Sequence, residues 1–381
     1  MIYFDNSATT QTLPEAAERA CSMMTREFFN PAAAYGAAFG VEKQINEARA
    51  FAASLLGGKP EEVLYTSGGT ESNNMAIYGS LRAMRKKTKI VTTETEHPSV
   101  YETLRAAAGE YGMEISYAPL MRDGTVDTDR LSDVLSADTD FVSIMHVNNE
   151  LGSINDLGAI ARKVRALAPN AILHSDGVQA FMKVPCGQIP VDLYSVSAHK
   201  LHAPKGVGLL YVRNGIRFAG GQIGGGQERN LRSGTTNAPG ILGFDTALRQ
   251  YQRNLNAWHQ QMYRVKSRLY QNLSGLNDVC LNGPSVEQGA PHILNLSFLG
   301  VRGEVLLHAL ERYGVLVSTG SACAAKKQGK NRILNAIGIT GARQEGAIRF
   351  SFCPFNTVEE ADEASELIDD QVHMLRKYKR R

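Results

Sequence analysis

Apolar runs rich in β-branched residues alternate with amphipathic stretches over the first two thirds of the chain. The short continuous runs predict strands at 62–66, 89–93, 141–145, 171–175, 193–197 and 207–212. The amphipathic stretches between them predict helices over 71–84, 99–111 and 157–167. Strands separated by helices are typical of an α/β fold with a mostly parallel central sheet that is covered on both faces.

The pattern changes after about residue 250. A long amphipathic helix is predicted over 246–273, followed by strands at 292–298 and 347–352 and a closing helix over 358–379. We therefore expect a large domain over 13–256 and a smaller α+β domain formed by 1–12 and 257–381.

Composition narrows the class of protein without naming a function. The chain has 381 residues, of which 43% are hydrophobic and 21% charged, and its net charge is +3. This mild charge gives no reason to expect direct nucleic-acid binding. The N-terminus lacks the pattern of a signal peptide, and no apolar run is long enough to span a membrane, so we expect no membrane partner and a cytoplasmic protein.

Five widely spaced cysteines argue against a structural metal or disulfide framework. They are Cys21, Cys186, Cys280, Cys323 and Cys353, and none belongs to a CxxC pair. We expect reduced thiols and no resident metal site.

Side chains suited to catalysis follow several predicted strands. Lys200 follows the strand at 193–197, and Asp176 follows the strand at 171–175. A lysine amine forms a Schiff base with the aldehyde of pyridoxal phosphate (PLP), and a carboxylate keeps the pyridine nitrogen of PLP protonated. Taken singly, Lys200 is better explained as a surface lysine and Asp176 as a turn cap. Together they predict a PLP site at the carboxyl edge of the sheet.

Three more polar residues belong to this predicted site. His97 follows a strand, and its imidazole could stack on the cofactor ring and shuttle a proton. Asn149 follows another strand, and Gln179 lies three residues after Asp176. Both amides could reach the ring hydroxyl. A lone histidine is more often structural, and an isolated glutamine is more often solvated, so the prediction depends on convergence of the strand ends.

A phosphate cup is predicted between the strand at 62–66 and the helix at 71–84. The Ser-Gly-Gly-Thr-Glu sequence there includes Gly69 and Thr70, whose amides and hydroxyl could bind an anion at the helix N-terminus. The same sequence is also typical of an ordinary helix N-cap. Ser197 and His199, beside Lys200, could donate from another side.

The last third of the chain adds a candidate nucleophile and a candidate anchor. Cys323 lies in a run of small residues that is followed by the cations Lys326, Lys327, Lys330 and Arg332. Nearby cations favour a thiolate, so we expect a reactive thiol, although the lysines could equally form a solvated face or dock an acidic partner. Arg349, within the strand at 347–352, could bind the carboxylate of an amino acid or simply face solvent.

With these motifs in place, the chain closely resembles the cysteine desulfurases, which are PLP enzymes of aminotransferase fold type I. The resemblance runs nearly end to end and looks closest to the iron–sulfur and nitrogen-fixation branch. The motifs that carry it are Tyr-Phe-Asp-Asn-Ser-Ala-Thr-Thr at 3–10, Ser-Gly-Gly-Thr-Glu-Ser-Asn at 67–73, Thr-Glu-His at 95–97, His-Val-Asn-Asn-Glu at 146–150, Ser-Ala-His-Lys at 197–200, Arg-Ser-Gly-Thr at 232–235 and Gly-Ser-Ala-Cys at 320–323.

The resemblance implies a role for each site residue. Lys200 would hold PLP, Asp176 would pair with the ring nitrogen, and His97 would stack on the ring and take part in acid–base steps. The remaining cofactor contacts would come from Gln179 and Asn149 at the ring and from Gly69, Thr70, Ser197 and His199 at the phosphate. Asn149 would also contact the substrate.

The resemblance also implies the reaction and the assembly. Arg349 would bind the carboxylate of L-cysteine, and Cys323 would take its sulfur as a persulfide, releasing L-alanine. Thr235 would reach the phosphate of a partner subunit, which implies a homodimer with shared sites. The small domain would carry the Cys323 loop, and Cys323 could also ligate an iron–sulfur cluster transiently.

The resemblance predicts a desulfurase, which is a sulfurtransferase that delivers persulfide to a sulfur-acceptor protein. Three other interpretations compete with this one. They are a selenocysteine lyase, an ordinary aminotransferase, and a PLP-free sulfur carrier or scaffold. The acceptor stays open among an iron–sulfur cluster scaffold, a tRNA-thiolation enzyme and a cofactor-biosynthesis protein.

Overall fold

The structure is a computed structural model that describes residues 1–185, 187–320 and 331–377. Its strands are β1 (Ile2–Tyr3), β2 (Val63–Thr66), β3 (Lys89–Thr92), β4 (Glu114–Tyr117), β5 (Thr139–Ser143), β6 (Ile172–Asp176), β7 (Leu193–Ser197), β8 (Gly208–Val212), β9 (Val279–Asn282), β10 (Ile293–Phe298), β11 (Val315–Leu316) and β12 (Ala347–Ser351). Its α-helices are α1 (Pro14–Thr25), α2 (Gly36–Leu55), α3 (Gly69–Ala83), α4 (Pro98–Tyr111), α5 (Leu157–Leu167), α6 (Ala238–Ser274), α7 (Gly303–Glu311), α8 (Arg332–Ala336), α9 (Gly341–Glu345) and α10 (Val358–Lys377). Within the described ranges, the helices are too short or too polar to cross a membrane.

A seven-stranded sheet forms the centre of the molecule, in the order β2-β8-β7-β6-β5-β3-β4. Neighbouring strands from β7 through β6, β5 and β3 to β4 pair in parallel. Only β8 runs against its neighbours, pairing antiparallel with both β2 and β7. The prediction of an α/β fold with a mostly parallel sheet is therefore confirmed.

The central strands are apolar on both faces because helices cover both. Successive residues alternate between two apolar clusters, as Ile90 and Val91 show on β3. One cluster includes Met75 of α3 and Leu104 of α4, whereas the other includes Ile160 of α5. Burial on both sides explains why these strands read as continuous apolar runs in the sequence.

A separate apolar cluster lies in the C-terminal part of the chain. It packs β10, β12, α7 and α10 together, and Phe4 from the N-terminus is fully buried within it. β9, β10 and β12 form an antiparallel sheet, and β1 pairs in parallel with β11. The extreme N-terminus therefore packs with the C-terminal elements; the domain boundaries at 12/13 and 256/257 stay a prediction.

Several elements were not predicted from the pattern. α2 buries mainly alanines, namely Ala38, Ala48, Ala52 and Ala53, whose small side chains give a weak apolar periodicity. β4 is an edge strand with half-buried or exposed side chains. The long helix α6 begins at Ala238, earlier than the predicted start at 246.

Candidate active site

The carboxyl ends of the strands meet at a cavity of about 500 Å³. β2, β3, β5, β6 and β7 point in one direction, so the residues that follow them gather at one edge of the sheet. The predicted site residues that line this cavity are Gly69, Thr70, His97, Asn149, Asp176, Gln179, Ser197, His199, Lys200 and Arg349. Thr235 is exposed and is not part of the lining. Cys323 lies outside the described residues.

Lys200 places an amine inside the cavity. It ends a short helical turn directly after β7, and its Nζ donates to the carbonyl oxygens of Ser7 and Ala8, each at 2.6 Å. Burial lowers the pKa of Lys200 to about 8; nearby Arg349 acts in the same direction. A large fraction of this amine is therefore neutral near pH 8, and a neutral amine is what attacks an aldehyde.

Asp176 is held at the end of β6 by two donors. Its Oδ1 accepts from the backbone N–H of Val178 at 2.9 Å, and its Oδ2 accepts from Asn73 Nδ2 at 2.8 Å. The side chain is buried, with 4% exposed. Each carboxylate oxygen keeps further lone pairs, so Asp176 can still accept from a protonated ring nitrogen.

His97 caps α4 and faces the same cavity. Its Nδ1 accepts from the backbone N–H of Ser99 at 3.2 Å and lies 2.7 Å from Ser99 Oγ. Burial lowers the pKa of His97, Lys200 and Arg332 lower it further, and Asp176 opposes them. The imidazole is consequently neutral at physiological pH.

The two amides at the ring position differ in how their partners are arranged. Gln179 is fixed because its Nε2 donates to Ser7 O at 3.0 Å and its Oε1 accepts from Lys183 Nζ at 3.3 Å. Asn149 Oδ1 is buried and has no hydrogen-bond partner among the described residues. This acceptor is therefore available to a donor on a bound ligand.

The N-terminus of α3 forms an anion-binding recess beside the cavity. Gly68 has φ 148° and ψ −176°, a conformation that essentially only glycine adopts. A Cβ added to Gly69 would lie 2.7 Å from Val178 Cγ2, so glycine is also needed there for close packing. Thr70, Ser197 and His199 line the recess, and it also contains Thr9 and the exposed Lys205.

Arg349 also lines the cavity, with 5% of its surface exposed. Its Nη2 donates to Asp5 Oδ1 at 2.7 Å, and its Nη1 donates to the backbone oxygen of Asn149 at 3.0 Å. Its Nε is buried without a hydrogen-bond partner among the described residues. The guanidinium therefore keeps donor capacity for a substrate carboxylate.

The described residues on either side of 321–330 line the cavity as well. Gly320 precedes this segment and Asn331 follows it, and both line the cavity. Asn331 Nδ2 donates to Glu150 Oε2 at 2.7 Å, and a Cβ added to Gly320 would meet the same oxygen at 2.7 Å. Burial raises the pKa of Glu150, whereas its bond to Asn331 lowers it.

Sequence reasoning missed several cavity residues: Asp5, Ser7, Asn73, Ser99, Glu150 and Asn331. Arg332, one of the cations that follow Cys323 in the sequence, also lines the cavity. Asp5 and Asn73 belong to motifs that were noticed for their family resemblance, but no role was assigned to them. Ser99 and Asn73 lie on helices, where the sequence alone does not show which face meets the sheet. Arg332 stacks on Tyr101, with its Cζ 3.8 Å from the ring centre.

The cavity fits PLP in size and in donor set. A volume of about 500 Å³ lies within the range of roughly 300–1,000 Å³ found for small-ligand pockets. The lining supplies an amine for the aldehyde, a carboxylate for the ring nitrogen, and a helix N-terminus with hydroxyls for the phosphate. The unpaired Asn149 Oδ1 adds a buried acceptor that a bound ligand would satisfy.

Known proteins are similar to this chain over nearly its whole length. Residues 2–363 match the family described as aminotransferase class-V. Proteins named cysteine desulfurase IscS from Photorhabdus laumondii and from Escherichia coli K12 are each 39% identical over 383 residues, covering 98% of this chain and 93% of each relative. A solved structure named NifS-like protein superposes with a TM-score of 0.91 at 34% identity, covering 98% of this chain and 99% of the other.

Proposed function

The chain belongs to the aminotransferase class-V family, as a PLP-dependent cysteine desulfurase, and from this premise we propose how its own residues carry out the reaction. The observation that carries the proposal is that Lys200, Arg349 and both neighbours of the segment 321–330 line one cavity. The cavity therefore brings together an amine for the cofactor, a cation for the substrate, and the two residues that flank the Cys323 segment, Gly320 and Asn331. The similarity to cysteine desulfurases gives no support to a selenocysteine lyase, an aminotransferase or a PLP-free carrier.

The residues that would hold PLP divide into three groups. Lys200 would bond covalently to the aldehyde, and Asp176 would accept from the ring nitrogen. The other cofactor contacts would be Gln179, Asn149 and His97 at the ring and Gly69, Thr70, Ser197 and His199 at the phosphate. When bound, PLP supplies an electron sink that weakens the bonds at the α-carbon of an amino acid.

The substrate side of the reaction belongs to Arg349, Asn149, Lys200 and His97. Arg349 would bind the carboxylate of L-cysteine through donors that are now shared with Asp5 and Asn149. Either Lys200 or His97 would take the α-proton. The neutral amine of Lys200 is suited to this, because burial lowers its pKa to about 8.

Cys323 would be the sulfur acceptor within the enzyme. Its thiolate would attack the sulfur of cysteine, so that a sulfur–sulfur bond forms and the bond between sulfur and the β-carbon breaks. The β-carbon keeps that electron pair and is protonated, giving L-alanine, while the oxidised sulfur remains as a persulfide on Cys323. The lysines that follow Cys323 in the sequence favour the thiolate.

Persulfide mapping tests this assignment. Holoenzyme incubated with L-cysteine should carry one extra sulfur on the peptide that contains Cys323, detected by mass spectrometry after alkylation. Cys323→Ala should keep the visible absorbance of the cofactor and lose sulfide release, whereas Cys21→Ala, at an exposed cysteine, is the matched control. Extra sulfur on Cys21, Cys280 or Cys353 instead would contradict the assignment.

The assembly, the location and the acceptor are proposed at a coarser level. Thr235 is exposed and outside the cavity of its own chain, which fits a homodimer in which it reaches the partner's phosphate. Sedimentation of Thr235→Ala and wild type, together with their PLP affinities, tests this.

We also propose that the protein is cytoplasmic and passes its persulfide to an iron–sulfur scaffold or to a tRNA- or cofactor-thiolation protein. Transfer of labelled sulfur to purified candidate proteins distinguishes these acceptors.

The proposed division into a large PLP-binding domain at 13–256 and a small domain at 1–12 and 257–381 rests on the separate apolar clusters. Independent expression of residues 13–256 would test it through the cooperative unfolding of that fragment.

A further inference from the structure

A hydrogen-bonded chain joins Asp176 to His97 through two residues that sequence reasoning missed. Asn73 Nδ2 lies 2.8 Å from Asp176 Oδ2 and 2.9 Å from Ser99 Oγ. Ser99 Oγ in turn lies 2.7 Å from His97 Nδ1. The chain Asp176–Asn73–Ser99–His97 runs along the lining of the cavity from the carboxylate to the imidazole.

The direction of every hydrogen bond in this chain follows from the chemistry of its members. An ionised carboxylate only accepts, so the Asn73 amide must turn its NH₂ group toward Asp176. The second hydrogen of that group then points to Ser99 Oγ, which accepts it. Ser99 has one hydroxyl hydrogen left, and its other neighbour is His97 Nδ1. Ser99 therefore donates to His97.

A second donor reaches the same ring nitrogen. The backbone N–H of Ser99 points at His97 Nδ1 across 3.2 Å, because His97 is the N-cap of α4. A backbone N–H never accepts, so Nδ1 must present a lone pair. The hydrogen of the neutral imidazole is consequently on Nε2. Among the described residues Nε2 has no hydrogen-bond partner, and the ring lines the cavity.

We propose that Ser99 and Asn73 are positioning residues that fix His97 as the Nε2–H tautomer, so that His97 donates a hydrogen bond into the cavity and Lys200 is the base. In this tautomer the lone pair of the ring on Nδ1 already accepts from the hydroxyl and the backbone N–H of Ser99. His97 therefore has no acceptor that can take the α-proton of a substrate. The amine of Lys200 has one, so Lys200 rather than His97 takes the α-proton; this assignment rests on the proposed function.

The charges around His97 keep the ring neutral. Lys200 and Arg332 face it and disfavour a positive charge, and the positive end of the α4 helix dipole lies at its N-cap position. Asp176 is the opposing charge, but Asn73 and Val178 already donate to it. Burial lowers the pKa of His97, and Lys200 and Arg332 lower it further against the opposing effect of Asp176. A neutral histidine at a helix N-terminus is suited to donate a hydrogen bond to a developing negative charge.

Nitrogen NMR of the histidine rings tests the tautomer directly. The holoenzyme would be labelled with ¹⁵N-histidine and recorded at a pH of about 7.5, one unit above the usual histidine pKa. The signals of His97 would be assigned by their loss in His97→Gln. We expect a protonated-type shift for Nε2 and an unprotonated-type shift for Nδ1. An Nδ1–H tautomer, or a doubly protonated ring, would overturn the proposal.

Two variants test the positioning role of Ser99. In Ser99→Ala the hydroxyl donor is lost and only the longer backbone N–H contact of 3.2 Å remains at Nδ1, so the shifts of the two ring nitrogens should move part of the way toward each other. Ser99→Thr retains the hydroxyl and should restore the wild-type shifts. Ser54→Ala, at an exposed serine of α2, should leave them unchanged. If the His97 shifts of Ser99→Ala equal those of wild type, Ser99 does not position His97.

The same variants separate this inference from the proposed function. The tautomer is measured without turnover, so loss of the predicted shifts with persulfide still on Cys323 would sink the inference alone. The predicted shifts without any persulfide on Cys323 would sink the proposed function alone.

Discussion

The two ends of the cavity are built differently. At the Asp176 end, Asn73, Ser99 and His97 are linked by hydrogen bonds whose directions are all fixed. At the Arg349 end, the guanidinium is paired with Asp5, and its Nε has no partner among the described residues. The hydrogen bonds around Asp176 fix the positions of protons before any ligand binds. Arg349, in contrast, keeps N–H donors to which a ligand can bind.

This difference matches what each end has to do. A cofactor ring that stays in place benefits from partners that are already oriented, because no reorganisation is needed during the reaction. A substrate that enters and leaves needs a partner whose bonds can exchange. The Asp5 carboxylate stands where a substrate carboxylate would compete for Arg349, since both are acceptors for the same guanidinium.

The largest expected effect comes from the fixed end. Asp176→Asn should lower kcat by about 10²–10³-fold, because it removes the charge that faces the ring nitrogen and loosens the orientation of Asn73. Steady-state kinetics together with the cofactor absorbance spectrum measure this. Asp133→Asn, at an exposed aspartate of a surface turn, is the control. A kcat within twofold of wild type would show that Asp176 does not act on the cofactor ring.

Arg349→Gln should act mainly on substrate binding. Loss of a buried charge-assisted pair costs about 2–5 kcal/mol, so KM for L-cysteine should rise by about 10²-fold. The cofactor absorbance should be retained, because Arg349 is not among the residues assigned to PLP. Arg312→Gln, at an exposed arginine, is the matched control. An unchanged KM with a large fall in kcat would place Arg349 outside carboxylate binding.

The amine between the two ends gives a pH prediction. The pKa of Lys200 is lowered from 10.5 to about 8, so its reactive neutral form increases as pH rises toward 8. The rate of PLP uptake by apoenzyme should therefore increase about tenfold per pH unit below that pKa and level off above it. Stopped-flow absorbance measures the rate. A profile that still rises steeply above pH 9.5 would require an ordinary lysine of pKa about 10.4.

The smallest effect is expected at Asp5. Asp5→Asn removes the internal carboxylate that shares Arg349, so KM for L-cysteine should fall, by about tenfold at most. The value of kcat should fall too, because Arg349 loses a group that orients it. Asp129→Asn, at an exposed aspartate, serves as control. A rise in KM would show that Asp5 orients Arg349 without competing for it.

The cavity residues that could be predicted from the sequence are mainly those that directly follow a strand. Asp176 and Lys200 could be placed together because the carboxyl ends of parallel strands meet at one edge, whatever the details of packing. Cys323 was singled out by its neighbours in the sequence, and its position lies outside the described residues.

The partners of these residues could not be predicted in the same way. Asp5 and Arg349 are 344 positions apart in the sequence, and only folding brings their side chains into contact. Asn73 and Ser99 lie on two different helices, and their meeting depends on how α3 and α4 pack over the sheet. The proton positions that these contacts fix are therefore a property of tertiary structure.

Two lysines with lowered pKa values, Lys183 and Lys200, lie close to the predicted cofactor position, and they provide the most direct test of which residue holds PLP. Burial lowers the pKa of Lys183 to about 7 and that of Lys200 to about 8, so both amines are reactive near neutral pH. Only Lys200 lines the cavity; Lys183 lies behind Gln179, to which it donates. Reduction of the holoenzyme with borohydride, followed by peptide mapping, shows which lysine carries PLP. The account predicts the adduct on Lys200, and an adduct on Lys183 would contradict it.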